Sequence, residues 1–208
     1  MSNNNLKEVV FASIQNFNSE AVDNIKSITP SFIGYYSRNQ YDAKRTEKEI
    51  ENNSFVFDLK KGIILEDKIE KILEDMKAKI DIDTVDAITF TPDSGNFWKS
   101  HTEMALTGFS AVVAYIANKL NKPVVLPEIT RDMGKQKDQK NMRARLDNRI
   151  GAYSFDENTI KGKKLLFIDD VLTTGATMLA IAKDIYDKGW DLALYFVALA
   201  ETDADFKT

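Results

Sequence analysis

Two adjacent aspartates followed by a turn of threonine and glycine are the feature of the sequence most able to do chemistry. Asp169 and Asp170 end the apolar run KKLLFIDD, and TTGAT follows after two further residues. A helix that begins at such a turn presents unpaired N–H groups and the positive end of its dipole, which together attract a phosphate monoester. Carboxylates do not donate to phosphate, so we expect the acids to face hydroxyl groups or a cation beside it. The segment therefore predicts a site for a sugar phosphate.

Other phosphate and carboxylate sites are disfavoured by the sequence. No two of the nine glycines stand two residues apart, which excludes G-x-G-x-x-G, and no glycine precedes a Lys-Ser or Lys-Thr pair, which excludes the nucleotide P-loop. A glycosidase is disfavoured because adjacent strand residues point to opposite faces and would not flank one bond. With no cysteine and with His101 as the one histidine, any metal must be held by oxygen. Magnesium suits such a site.

The order of apolar segments predicts an α/β fold with a parallel β-sheet core flanked by helices. Short apolar strands alternate with helices from residue 66 onward, and such sheets bind ligands beyond the carboxyl ends of their strands. Strands are predicted at 87–90, 123–126, 152–155, 165–168 and 192–199, and helices at 66–80, 102–120 and 176–188. Residues 169–175 are then the turn between a core strand and a helix, at the edge where ligands bind.

The first sixty residues are predicted to form a small separate lobe. Residues 31–37 and 54–59 have the composition of short strands, and the charged stretch 38–53 separates them. We therefore divide the chain into residues 1–62 and a core domain at 63–208. A chain of 208 residues with 43% hydrophobic composition can bury one substantial core.

The charge of the chain is distributed unevenly. The net charge is -4, which argues against a generally basic nucleic-acid binder. Residues 131–149 nevertheless carry seven basic and three acidic side chains. No apolar run approaches the roughly 20 residues needed to span a bilayer, and the first residues lack the pattern of a signal peptide. The expected location is therefore the cytoplasm, with no membrane partner.

The segment LLFIDDVLTTGATM resembles the phosphoribosyl pyrophosphate (PRPP) binding motif of the type I phosphoribosyltransferases. By this resemblance, Asp169 and Asp170 hold the ribose hydroxyls and residues 173–177 hold the 5-phosphate. The implied PRPP-binding residues are Asp169, Asp170, Val171, Leu172, Thr173, Thr174, Gly175, Ala176 and Thr177. The resemblance also implies a small N-terminal hood lobe and a mobile loop, which here is the basic segment.

A second segment, RARLDNRIGAYSF, resembles the ComF-like, competence-associated branch of that family. The resemblance rests on the spacing R-x-x-N-x-x-x-A-aromatic, carried by Arg145, Asn148, Ala152 and Tyr153. The family also implies a pyrophosphate loop after the strand at 87–90, made of Thr91, Pro92, Asp93, Ser94 and Gly95. Cations on the mobile loop would stabilise the leaving pyrophosphate. The candidate catalytic residues are Lys135, Arg145, Asp169 and Asp170.

The function implied by the resemblance is magnesium-dependent transfer of ribose 5-phosphate from PRPP to an acceptor base or amine, with release of pyrophosphate. Mg²⁺ would be bound through the substrate, with Asp169 or Asp170 as its protein ligand. Two other functions stay open: a PRPP- or nucleotide-sensing module without transfer activity, and a ComF-like accessory protein in DNA uptake that acts with single-stranded DNA partners. A homodimer is implied by the resemblance. We expect His101 to be a helix-start residue rather than an acid–base catalyst.

Overall fold

The computed structural model of the chain describes residues 25–29, 35–36, 46–91, 108–130, 142–172, 175–190 and 192–202. The elements in chain order are β1 (Ile25–Thr29), β2 (Tyr35–Tyr36), α1 (Glu47–Lys60), α2 (Glu66–Lys79), β3 (Ala87–Phe90), α3 (Phe109–Lys119), β4 (Glu128–Ile129), α4 (Met142–Asp147), β5 (Tyr153–Ser154), α5 (Glu157–Ile160), β6 (Lys164–Leu172), α6 (Ala176–Asp187) and β7 (Ala193–Thr202). Among the helices in these ranges, none is long and apolar enough to cross a membrane.

Within the described residues, the main sheet has five strands, and β6 pairs with one strand on each side. The order is β1-β7-β6-β3, with β2 also paired to β7, and every pairing is parallel. Strand β6 is in register with β3 up to the pair of Phe90 with Ile168, and with β7 up to the pair of Leu172 with Glu201. Strands β4 and β5 form a separate antiparallel pair. Beyond Ile168, the carboxyl end of β6 pairs only with β7 among the described residues.

Both faces of the sheet are covered by helices. Leu165 and Phe167 of β6 belong to a buried cluster with α6, whereas Leu166 and Ile168 belong to a second cluster with α1, α2 and α3. This alternation follows from the two-residue period of a strand. The predicted parallel α/β sheet flanked by helices is confirmed.

The predicted strand at 54–59 is wrong, because these residues lie in helix α1. The Thr46 side chain accepts a hydrogen bond from the Glu49 N–H, and the Glu49 carboxylate accepts one from the Thr46 N–H, so a capping box starts the helix. Phe55 and Leu59, four residues apart, are both buried, while Phe57 between them is 38% exposed. The alternation of aromatic residues in the sequence therefore concealed a helical period.

The N-terminal strands belong to the main sheet. Within the predicted strand at 31–37 the structure describes only Tyr35–Tyr36, and this pair is parallel to the end of β7. Strand β1 pairs with β7 earlier along the same strand and was not predicted from the sequence. The division at residue 62 and the hood lobe stay predictions.

Most of the remaining predicted elements are found, with altered ends. The strand at 87–90 is confirmed, the helix at 66–80 is found as Glu66–Lys79, and the described part of the helix at 102–120 is Phe109–Lys119. The strand at 123–126 is reduced to one parallel bridge between Val124 and Ile88. Strand β6 continues four residues beyond its predicted end at Ile168. Asp169 and Asp170 are therefore part of the strand and not of the turn that follows it.

Candidate functional site

Asp169 and Asp170 leave β6 on opposite faces of the sheet. Asp170 lies on the side of α1, where its Oδ2 atom is 2.5 Å from the Lys60 Nζ atom. Asp169 shares the face of Phe167 and α6 because of the strand alternation. Each carboxylate also accepts a hydrogen bond from the next backbone N–H, at 3.0 Å for Asp169 and 2.7 Å for Asp170. These local bonds fix the directions of both carboxylates at the strand end.

The pKa of Asp169 is raised to about 8, first by burial and then by the negative charge of Asp170. The Asp170 N–H and the Lys60 ammonium lower this pKa, but by less. Asp170 has Lys60 as a partner, whereas in the described part of the chain no basic side chain forms a salt bridge with Asp169. Asp169 is therefore the member of the pair that would gain most from a hydroxyl donor or a cation supplied by a ligand.

The turn after β6 leads into the N-terminus of α6 through a buried glycine. Gly175 has φ +71° and ψ 7°, in the left-handed region that residues with a Cβ rarely adopt. Its carbonyl accepts the first helical hydrogen bond, from the Leu179 N–H at 3.0 Å. Helix α6 has no side-chain N-cap among the residues described, and the positive end of its dipole at this point attracts an anion. Thr173 and Thr174 lie outside the described residues.

Val171, Leu172, Ala176 and Thr177 are buried around this turn. Val171 packs with Val56 of α1 and Ala200 of β7, and the other apolar side chains lie in the protein interior. Their side chains therefore position the turn, and a ligand would meet their backbone. Of the predicted PRPP-binding residues, the structure describes all except the two threonines and brings them together at one edge.

The other predicted site residues are described only in part. Thr91 directly follows β3, and its Oγ1 atom has no hydrogen-bond partner among the described residues. Pro92, Asp93, Ser94 and Gly95 lie outside the described residues, as do His101 and Lys135. Arg145 belongs to α4, but its side chain is not described. The pyrophosphate loop and the two loop cations therefore stay predictions.

Arg149 and Tyr153 form a buried pair that sequence reasoning did not place in the site. Arg149 is 8% exposed, its Nη1 atom donates a hydrogen bond to the Tyr153 hydroxyl, and its guanidinium carbon lies 5.9 Å from the centre of the Tyr153 ring. Burial raises the pKa of Tyr153, the Arg149 charge opposes this, and the Asp169 charge adds to it. Tyr153 is therefore close to Asp169, on the face of the sheet opposite Asp170 and Lys60.

A contact with helix α6 fixes the turn that carries this pair. Gly151, with φ +70°, donates its N–H to both carboxylate oxygens of Asp184, at 3.0 and 3.1 Å. Burial raises the pKa of Asp184, and the Gly151 N–H opposes the shift.

The sequence indicated the pair of Arg149 and Tyr153 only in part. Tyr153 occupies the aromatic position of the second motif, whereas Arg149 was counted only as one of seven basic residues.

The donor set at the strand end fits a magnesium ion that is held largely by a substrate. The described residues contain no cluster of three or more His, Cys, Asp or Glu side chains that could hold a metal. The raised pKa of Asp169, caused by burial and by the Asp170 charge, is what a hard cation with oxygen ligands would relieve. Mg²⁺ needs only one or two protein carboxylates when phosphates supply its other ligands.

Comparison with known proteins finds weak structural likeness. No family model matches the sequence, and no curated protein matches it. One similar solved structure is an adenine phosphoribosyltransferase that is 14% identical, with 64% of this chain and 69% of that chain covered and a TM-score of 0.40. Another is the Saccharomyces cerevisiae adenine phosphoribosyltransferase in complex with adenine and an imino-altritol bisphosphate, which is 14% identical, with 74% of this chain and 71% of that chain covered and a TM-score of 0.35. The enzyme from Leishmania tarentolae is 13% identical over 84% of this chain and 85% of its own, with a TM-score of 0.40. Likeness at this level does not assign an activity, which has to come from the site residues.

Proposed function

We propose that the chain is a phosphoribosyltransferase that moves ribose 5-phosphate from PRPP to an acceptor nitrogen. The observation that carries the proposal is the order of groups at the end of β6. Two carboxylates on consecutive residues are followed by a left-handed glycine and by the N-terminus of the twelve-residue helix α6. A pentose phosphate presents both hydroxyls and a dianion, so one ligand can satisfy both groups.

Each part of the site has a distinct role in this reaction. Asp169 and Asp170 accept hydrogen bonds from the ribose hydroxyls, and the backbone N–H groups of residues 175–177, with the hydroxyls of Thr173 and Thr174, bind the 5-phosphate. Residues 91–95 hold the pyrophosphate, and Lys135 and Arg145 approach it.

The reaction exchanges one bond for another at C1 of the ribose. The bond between C1 and the pyrophosphate oxygen breaks with its electron pair on pyrophosphate, and the acceptor nitrogen forms the new bond to C1 and loses a proton. Positive charge builds on the sugar and negative charge on the leaving group. Cations over the pyrophosphate therefore stabilise the transition state more than the bound donor.

Magnesium would add charge neutralisation at the phosphates of the donor. Asp169 is the carboxylate best placed to reach an ion bound there, because Asp170 is engaged by Lys60. The protein residues themselves bind and orient the sugar.

The test is a calorimetric titration with PRPP and magnesium, followed by a pyrophosphate-release assay across free bases and amines. The double variant Asp169→Asn with Asp170→Asn should abolish ribose binding, whereas the exposed-acid control Glu74→Gln should bind as the parent does. The assignment of the two acids is wrong if the double variant keeps the affinity of the parent for PRPP.

The ion pair between Lys60 and Asp170 favours a second candidate, a module that binds PRPP or a nucleotide without transferring it. An acid already held by an ammonium group is less available to a ribose hydroxyl, so one of the contacts that would stabilise positive charge on the reacting sugar is weakened. PRPP binding without pyrophosphate release for any acceptor would favour this candidate over the enzyme.

A further inference from the structure

Arg149 is a buried cation without a counter-charge in the part of the chain that the structure describes. Its side chain is 8% exposed, and its hydrogen bond to the Tyr153 hydroxyl engages only the Nη1 atom. The Nε atom has no partner within the described ranges. A guanidinium has five N–H donors, and buried charges in proteins are as a rule paired. An oxyanion is the partner that would satisfy these donors.

The pair of Arg149 and Tyr153 lies at the ligand-binding edge of the sheet. Tyr153 is close enough to Asp169 for the charge of this acid to raise its pKa. The register of β3 with β6 pairs Phe90 with Ile168, and its continuation brings Thr91 beside Asp169. Arg149 therefore approaches the point at which two neighbouring parallel strands end, which is where such sheets bind ligands.

Two threonine hydroxyls on the same face also have unused hydrogen-bonding capacity. Thr89, paired with Phe167, is fully buried, and neither its Oγ1 atom nor that of Thr91 has a hydrogen-bond partner among the described side chains and backbone. The Thr91 hydroxyl is near enough to Tyr153 to lower the pKa of the phenol slightly, although it does not reach hydrogen-bond geometry. Hydroxyls can donate to an anion as readily as to a neutral acceptor.

We propose that Arg149, held by Tyr153, is the fixed cation of an oxyanion subsite at this edge, and that its ligand is a phosphate-type oxyanion. Arg149 sits on the turn that Asp184 fixes through Gly151, so its charge is in place before a ligand arrives. The subsite stands on Arg149 and its neighbours, whereas the assignment of the anion to the pyrophosphate end of PRPP rests on the proposed function. A free phosphate or pyrophosphate is the other source of the same chemistry.

The experiment compares anion binding to the parent chain and to Arg149→Met, Arg149→Lys and the double variant Arg149→Met with Tyr153→Phe. Sodium pyrophosphate, sodium phosphate and PRPP are titrated at constant ionic strength, by calorimetry and by thermal unfolding. The double variant replaces both hydrogen-bonding partners by apolar groups, which keeps the fold close to its parent stability. Lys164→Met, at the exposed amino end of the same strand β6, removes the same charge far from the site.

We expect pyrophosphate affinity to fall about tenfold or more in both Met variants, because a charge-assisted hydrogen bond in a buried setting is lost. Arg149→Lys should keep part of the affinity, and Lys164→Met should keep all of it. A double variant that binds pyrophosphate as tightly as the parent would overturn the subsite, as would a loss of unfolding temperature with unchanged anion affinity, which marks a purely structural arginine.

The two proposals fail in distinguishable ways. If the parent binds pyrophosphate through Arg149 but does not bind PRPP, the subsite stands, its ligand is the free anion, and the proposed donor is wrong. If PRPP binds the parent and the double variant equally, PRPP remains the proposed substrate and the oxyanion subsite at Arg149 is overturned.

Discussion

Replacement of Asp169 by asparagine should stabilise the ligand-free protein at neutral and alkaline pH. The folded-state pKa of Asp169 is about 8, against 3.8 for an ordinary aspartate, because burial and the Asp170 charge disfavour its ionised form. A raised pKa means that the folded chain binds the proton more tightly than the unfolded chain. The stability that this proton contributes is complete below pH 3.8 and is lost as the pH rises through 8. Asparagine has no proton to lose and can still accept the hydrogen bond from the Asp170 N–H.

The size of the effect follows from the shift. Taken at its full value, the rise in the pKa of Asp169 from 3.8 to about 8 corresponds to ~6 kcal/mol. Solvent reaches part of the Asp169 side chain and screens its charge, which reduces the expected gain to about 2 kcal/mol. For a chain of this length, that gain raises the unfolding temperature by roughly 4–8 °C at pH 8 and above.

The assay is thermal unfolding of the parent and Asp169→Asn without ligand, from pH 5 to pH 9, followed by circular dichroism. The difference between the two unfolding temperatures should be small at pH 5, grow through neutrality and level off above pH 8. Glu74→Gln, which removes an exposed acid on α2, should differ from the parent by no more than about 2 °C at each pH. An Asp169→Asn variant that unfolds at a lower temperature than the parent at pH 8, or by a difference that does not vary with pH, would refute the reasoning.

Three further substitutions test the supports of the site. Lys60→Met should cost no more than about 1 kcal/mol of unfolding free energy, because its ion pair with Asp170 is partly exposed. The cost, measured by urea unfolding, should be smaller in 1 M salt than in dilute buffer. An equal cost in both solutions would contradict an ionic role. Asp184→Ala should cost about 1–2 kcal/mol in the same measurement, since the Gly151 N–H loses its acceptor, and Asp184→Asn should recover part of it. Gly175→Ala should lower the unfolding free energy by about 1–2 kcal/mol, because an alanine is strained at the φ of +71°. A titration with ribose 5-phosphate should show weaker binding to this variant. Unchanged affinity would place the phosphate elsewhere.

The sequence could predict the central part of the fold because its signals are local. The run before Asp169 is apolar without interruption, which indicates a strand buried on both faces, and the apolar positions after Gly175 recur at helical spacing. The acids at the carboxyl end of β6 and the helix N-terminus after them follow from these two elements alone. The carboxyl end of β6 was not predicted, because the pairing of Leu172 with Glu201 extends the strand beyond the predicted end at Ile168.

What the sequence determined by itself is thus the strand, the turn and the helix that carry the candidate site, because each depends on neighbours within a few residues. Tertiary structure alone decided that Lys60 meets Asp170 and that Arg149 is buried against Tyr153. These outcomes depend on how helices and turns from distant parts of the chain pack on the two faces of the sheet. Neighbouring side chains of β6 point to opposite faces, so their partners depend on which helix or turn packs on each face. No local sequence pattern determines that packing.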